Sequence, residues 1–425
     1  MQKTKISSVL LISTILLSFA VNALAEEKRD ATIKLSDESV KKEDSVKLNF
    51  NGFIRYDAYY DSRQTTSLRE GALYLYPKAI KKTPNGLDEN SDNNLNLTSF
   101  MTRGMLKIST PDAFGAKVSG YLEGDFFGPS EAQLSSFSLR HSYVNLKWEQ
   151  VDLLIGQYWS AFCTPMSVVP KTVSYNLGAP FQTFSRNPQV TLSYKPAEIF
   201  KVLGSIAMER DGFSEIGGVI KEQRSGIPSL HLQAEVGNSN FLFGAGGFTK
   251  TIRPDALAQN FQATSGTVYA KAKLEGFTIQ AKGIYGGDLA DHLMLGGYAL
   301  TKEKAVTLNT ASGWLDVDYE LNKSVSFGIF GGYSANMGAS DLAQVTKDAT
   351  GKDNIFARDQ NIASVFRISP RIVYTVEKLK FALEYDYTNA LYASSLGDRL
   401  QPVVDSSKDS NVANSRIMFS TFLNF

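Results

Sequence analysis

The sequence predicts an all-β protein, a transmembrane antiparallel β-barrel of about 16 strands. Three observations predict it. Apolar and polar residues alternate with a period of two through most of the chain beyond residue 46. The connections between these segments alternate between short turns and long polar loops. Beyond the N-terminus, no run is long, uncharged and apolar enough for a spanning helix, so only strands could cross a membrane.

At the N-terminus, Lys3 and Lys5 precede an apolar run from Ile6 to Ala20, and Ala23-Leu24-Ala25 follows as a small-residue cleavage site. This predicts a secretory signal peptide over residues 1–25. The alternative, an N-terminal anchor, fits less well because Ser13 and Thr14 interrupt a run already short for a span. Residues 26–45 are dense in both charge signs and read as a short charged periplasmic N-terminal segment, either a solvated linker or a helical arm. The barrel is expected over 46–425.

Charge is nearly balanced, with 44 Lys and Arg against 43 Asp and Glu, which suggests no nucleic-acid partner. Cys163 is the only cysteine, so an intrachain disulfide and a cysteine-based zinc site are excluded. An enzyme is not expected. Only His141, His231 and His292 could serve as a histidine base, and no G-x-S-x-G elbow occurs. No cofactor or metal motif is present.

The strands follow in order. In "VKLNFNGFIRYDAYY" the even positions from Val46 to Tyr60 are almost all apolar, whereas Lys47, Asn49, Asn51, Arg55 and Asp57 share the odd face. "SFMTRGMLKIS" and "AKVSGYLEGDFF" separate in the same way. Further strands are predicted near 141–148, 151–160, 187–195, 201–209, 229–236, 241–250 and 264–274. The rest lie near 277–286, 310–320, 324–333, 362–376, 379–388 and 411–425. Short turns at "TPDAFG", "KWEQVD", "KPAEIF", "VGNSN", "LEGF", "ELNKS" and "VEKL" alternate with long loops such as 64–94, 211–228, 334–361 and 389–410. In the last strand Ile417, Phe419, Leu423 and Phe425 share one face, and Phe425 is expected at the periplasmic interface. Two aromatic girdles are expected. Trp148, Tyr194, Phe277, Tyr319 and Phe425 lie at the short-turn end; Tyr60, Phe100, Tyr285, Tyr333, Tyr385 and Tyr387 lie at the long-loop end.

The polar parity is expected to line a water-filled lumen. Its cations include Arg55, Arg103, Lys107, Lys117, Lys282, Arg367, Arg371, Lys380 and Arg416; its anions include Asp57, Glu123, Asp125, Asp316, Asp318 and Glu384. Positive charge is modestly ahead, and Arg103 and Lys107 lie beside Glu123 and Asp125, so a transverse field is possible. The alternative is that these groups form structural ion pairs in the wall. The loop near 161–188 contains Lys171 and Arg186 but no Asp or Glu, and is unusually apolar. A loop of that character is expected to fold into the barrel, or else to pack at a subunit interface.

The motifs "GFIRYDAYYDSR", "GYLEGDFFG", "SLRHSYVNL", "LLIGQYWSAF" and "RNPQVTLSY" resemble those of the DcaP-like porins of Gram-negative outer membranes. The resemblance covers roughly Phe50 to Tyr194. It implies a homotrimeric sixteen-stranded outer-membrane channel for small anionic solutes such as dicarboxylates. By the same resemblance the loop near 161–188 is the constriction, and Lys171 and Arg186 are candidates for contacting anions. The segment before Val46 is shorter than the helical arm of some members, and 64–94 has no counterpart in the family pattern. A surface binding or adhesion barrel is the alternative function.

Overall fold

The computed structural model describes residues 46–163, 167–209, 219–255, 257–405 and 410–425. The predicted signal peptide and charged segment, 1–45, lie outside the described residues. The described residues form sixteen wall strands. The first eight are β1 (Lys47–Asp61), β2 (Asn94–Thr98 with Arg103–Ser109), β3 (Lys117–Asp125), β4 (Ser138–Lys147), β5 (Val151–Trp159), β6 (Arg186–Ala197), β7 (Phe200–Ala207) and β8 (Ser229–Gly237). The rest are β9 (Phe241–Ile252), β10 (Phe261–Leu274), β11 (Phe277–Gly287), β12 (Ala305–Glu320), β13 (Val325–Ala339), β14 (Ile362–Val376), β15 (Leu379–Tyr392) and β16 (Asn411–Asn424). Each pairs antiparallel with its neighbours in sequence, and β16 returns to β1 in register from Phe53 opposite Asn424 to Asp61 opposite Arg416. Closure leaves no wall strand with an unpaired edge.

Burial follows the alternation but inverts the soluble-protein pattern. Along β16 the polar residues Asn414, Arg416 and Ser420 are buried, whereas Ile417 and Phe419 are exposed, the latter by 41%. Along β15, Leu383 is 47% exposed and the adjacent Glu384 is 0% exposed. The outer surface is thus an apolar belt suited to hydrocarbon, and the enclosed surface is polar. Tyr194, Phe277 and Phe425 are exposed toward the short-turn end, as are Tyr60, Tyr285, Tyr333, Tyr385 and Tyr387 toward the long loops. Phe100 is not a girdle residue: it lies between the two segments of β2, is buried, and packs against Phe127 at 5.8 Å between ring centroids.

Strands β12, β13 and β15 run further toward the long loops than their alternation indicates, starting at Ala305 and ending at Ala339 and Tyr392. Above the apolar belt, outward positions need not be apolar, so pairing continues after the period-two signal has faded. The long connections also contain strands. Thr65–Leu68 pairs with Leu73–Pro77 as a hairpin, and Gly296–Leu300 pairs with both β12 and Ile355–Arg358.

The largest apolar cluster lies inside the wall. It joins Leu73, Leu75 and Tyr76 of the first long connection to Val168, Tyr175, Phe181 and Phe184 of the 160–185 connection, and both to Trp314, Phe330 and Val365 of the wall. Two outer connections therefore occupy the lumen. The close approach is visible at Gly332 of β13, where a Cβ would meet the Phe181 ring at 2.5 Å. A larger residue there would force the loop off the wall.

Candidate functional site

The 160–185 connection between β5 and β6 crosses the lumen because wall side chains capture its backbone. Gln280 of β11 donates to the Val169 carbonyl at 3.0 Å and accepts from the Val169 N–H. Asp316 of β12 accepts from the Lys171 N–H at 2.9 Å. Glu384 of β15 accepts from the Val173 N–H at 2.7 Å and the Ser174 N–H at 2.9 Å, one on each carboxyl oxygen. Arg55 of β1 donates to the Val173 carbonyl at 2.8 Å. Lys282 of β11 donates to the Phe162 carbonyl at 2.9 Å, and the Trp314 indole N–H to Gln182 at 2.9 Å. A strap without carboxylates of its own needs such partners, since buried backbone groups left unpaired are costly.

Beside this strap lies a cavity of about 330 Å³. Five cations line it, Arg55, Arg103, Arg140, Lys171 and Lys380, together with Phe53, Phe422, Val173, Val373 and Ala382. Among the described residues, no carboxylate lines it. The acids lie behind the cations. Arg55 Nε lies 2.8 Å from Asp57, and Arg140 reaches Glu123 at 2.7 Å and Asp125 at 2.9 Å. Arg103 lies 3.3 Å from Glu123 and 3.5 Å from Asp125, and Lys171 Nζ lies 2.6 Å from Asp318. Asp316 and Asp318 are also held by Arg371, at 2.7 and 2.9 Å. The charges nearly cancel in number, yet their order places positive ends toward the cavity.

The sequence-predicted residues divide into four groups. Arg55, Arg103 and Lys171 meet at the cavity, with Glu123 and Asp125 behind them and Arg371 on the β12 acids. Arg186, the first residue of β6, is packed over the Trp159 ring at 5.4 Å and the Phe184 ring at 5.8 Å, and is not among the cavity's lining residues. Lys107 and Lys117 are exposed further toward the short turns, where Lys117 stands opposite Lys147. Arg367 and Arg416 differ from the expectation, because both are sealed beneath the inward connections. Arg416 makes a bidentate pair with Asp61 at 2.8 and 2.7 Å and donates to the Gly71 carbonyl. Arg367 donates to the carbonyls of Leu75 and Ala179. They fasten the inward connections to the wall.

Arg140 escaped the parity reading for a structural reason. The β3–β4 ladder shifts register between Glu123 and Gly124, so Glu123 opposes His141 while Gly124 opposes Leu139. Arg140 is the extra residue of this bulge, and both it and His141 are buried. A bulge re-aims one side chain and reverses parity beyond it. The 65–77 hairpin was also missed, although the apolar run "ALYLYP" within a polar loop was a signal that it packs inside.

A closed sixteen-stranded wall, an apolar outer belt and a lumen narrowed by a strap after the fifth strand define the porin type of outer-membrane β-barrel. The fold is shared with the outer membrane channel DcaP of Acinetobacter baumannii, at a TM-score of 0.68 and 17% identity over 95% of this chain and 100% of that one. An anion-selective porin from Comamonas acidovorans matches at a TM-score of 0.55 and 13% identity, covering 89% and 100% of the two chains. OmpT of Vibrio cholerae, as expressed in the outer membrane, matches at 0.54 and 11%, covering 91% and 100%. No protein-family model and no curated protein sequence matches the chain.

Proposed function

We infer that the protein is an outer-membrane porin for passive diffusion of small hydrophilic solutes, preferentially anionic ones, dicarboxylates among them. The observation that carries this reading is the cavity beside the strap, whose lining, among the described residues, has five cations and no carboxylate. Charge order matters here more than net charge. A passing anion meets guanidinium and ammonium groups first, with the acids one layer behind. The 161–188 loop is the constriction in this reading, and Lys171 contacts the solute. The fold it shares with the anion-selective porin from Comamonas acidovorans supports the preference, and a trimer form of OmpT with this fold supports assembly as a homotrimer. Residues 1–25 act as a signal, and N-terminal sequencing of protein from outer membranes is expected to begin at Glu26. Single-channel recording tests the function. Stepwise conductance in planar bilayers is expected; folded barrels that insert without conducting would favour the binding or adhesion role.

A further inference from the structure

Of the five cations at the cavity, four are matched by carboxylates within 3.5 Å: Arg55 by Asp57, Arg103 and Arg140 by the Glu123–Asp125 pair, and Lys171 by Asp318. Lys380 differs. Among the described residues no carboxylate lies at ion-pair distance from it, and its ammonium stands over the Phe422 ring, 4.1 Å from the centroid. Arg55 sits at the same ring, 4.7 Å from its centroid. Lys380 faces Phe422 across the β15–β16 ladder, so the backbone fixes their proximity. A cation held by a ring face keeps donors available for an incoming anion, whereas a salt-bridged one has already committed them.

The surroundings specify the rest of the ligand. Phe53, Phe422, Val173, Val373 and Ala382 give the cavity beside Lys380 an apolar wall. Such a pocket rewards an apolar body on the same molecule as the charge, because burial of that body adds to the ion contact.

The geometry points to Lys380 as the specificity-determining residue of a solute-binding site in the constriction, one that captures carboxylates bearing an apolar body of several carbons. This rests on the reading of the lumen as an anion-preferring passage. The Lys380 ammonium takes the carboxylate, and the Phe53, Phe422 and Val373 surfaces take the chain. A small hydrophilic anion such as acetate meets only the charge and passes without dwelling.

The test uses the full-length protein in planar bilayers with chloride as the carrier ion and valerate, acetate or neutral valeramide added. Valerate is expected to produce concentration-dependent block, acetate and valeramide little. Lys380→Met is expected to raise the half-blocking valerate concentration about tenfold, the loss of one nearby charge contact in a partly desolvated site. Lys380→Arg is expected to preserve block. Lys107→Met removes the same lumenal charge away from the cavity and is expected to leave block unchanged. Lys380→Gln replaces Lys380→Met should the latter fail to form channels. Equal block in Lys380→Met and wild type, or equal block by valeramide and valerate, overturns the assignment of Lys380. A wild-type channel that prefers cations overturns the anion-preferring reading itself, a separate outcome visible before any variant is made.

Discussion

Glu384→Gln should loosen the strap without unfolding the wall. Glu384 is 0% exposed, and its two carboxyl oxygens accept the N–H groups of Val173 and Ser174 at 2.7 and 2.9 Å. Glutamine has the same shape but one acceptor oxygen, and its NH2 would face the other backbone donor. One buried N–H is then orphaned, at a cost of about 1–3 kcal/mol. The wall does not share this cost, since the β14–β15 and β15–β16 ladders are made by backbone groups. The strap also keeps its bonds to Gln280, Asp316 and Trp314, so the effect stays local. Taking about 2 kcal/mol, the free energy of local opening falls enough to speed amide exchange roughly thirtyfold. Hydrogen exchange of the micelle-solubilised protein reads this at Val173 and Ser174, with β10 as the internal reference. Noisier open-channel current should accompany it. Unchanged exchange at both amides would refute the idea that Glu384 anchors the strap.

Two further outcomes follow from the same geometry. Leu383→Arg puts a charge on the lipid face next to Ile372 and Phe419, its ladder partners, and should cost up to about 2–4 kcal/mol, measured by folding into lipid vesicles. Arg416→Met strands Asp61 in a fully buried site and frees the Gly71 carbonyl; a loss of about 3–5 kcal/mol is expected in denaturant unfolding, with protease sensitivity in the 65–77 hairpin.

The wall was legible because lipid outside and polar groups inside impose a strict period of two on every strand. Parity even separates Leu383 from Glu384. It does not say, however, what a lumenal residue touches, because that depends on loops distant in sequence: Val173 and Ser174, whose N–H groups Glu384 accepts, are more than two hundred residues away. Arg367 and Arg416 illustrate the same limit. Alternation assigns them to the inside, but only the folded 65–77 hairpin and the strap decide that they are covered. Arg140 was hidden by a one-residue bulge, which leaves little trace in a hydrophobic pattern. Composition marks the strap as unusual, through its lack of Asp and Glu. It could not show that Lys171 is answered by Asp318 while Lys380 is left to an aromatic ring.

The most direct test of the central claim is the reversal potential across planar bilayers in a salt gradient. At an effective dielectric of about 20, one charge acting over about 6 Å contributes on the order of 3 kcal/mol before screening reduces it. The wild type should reverse on the anion side. Lys171→Glu combined with Arg186→Glu should move it toward cations at low salt, and the difference should vanish near molar salt. The larger share is expected from Lys171, since Arg186 is packed against Trp159 and Phe184. A wild-type channel that reverses on the cation side, or a double variant with the wild-type potential at low salt, would contradict the account.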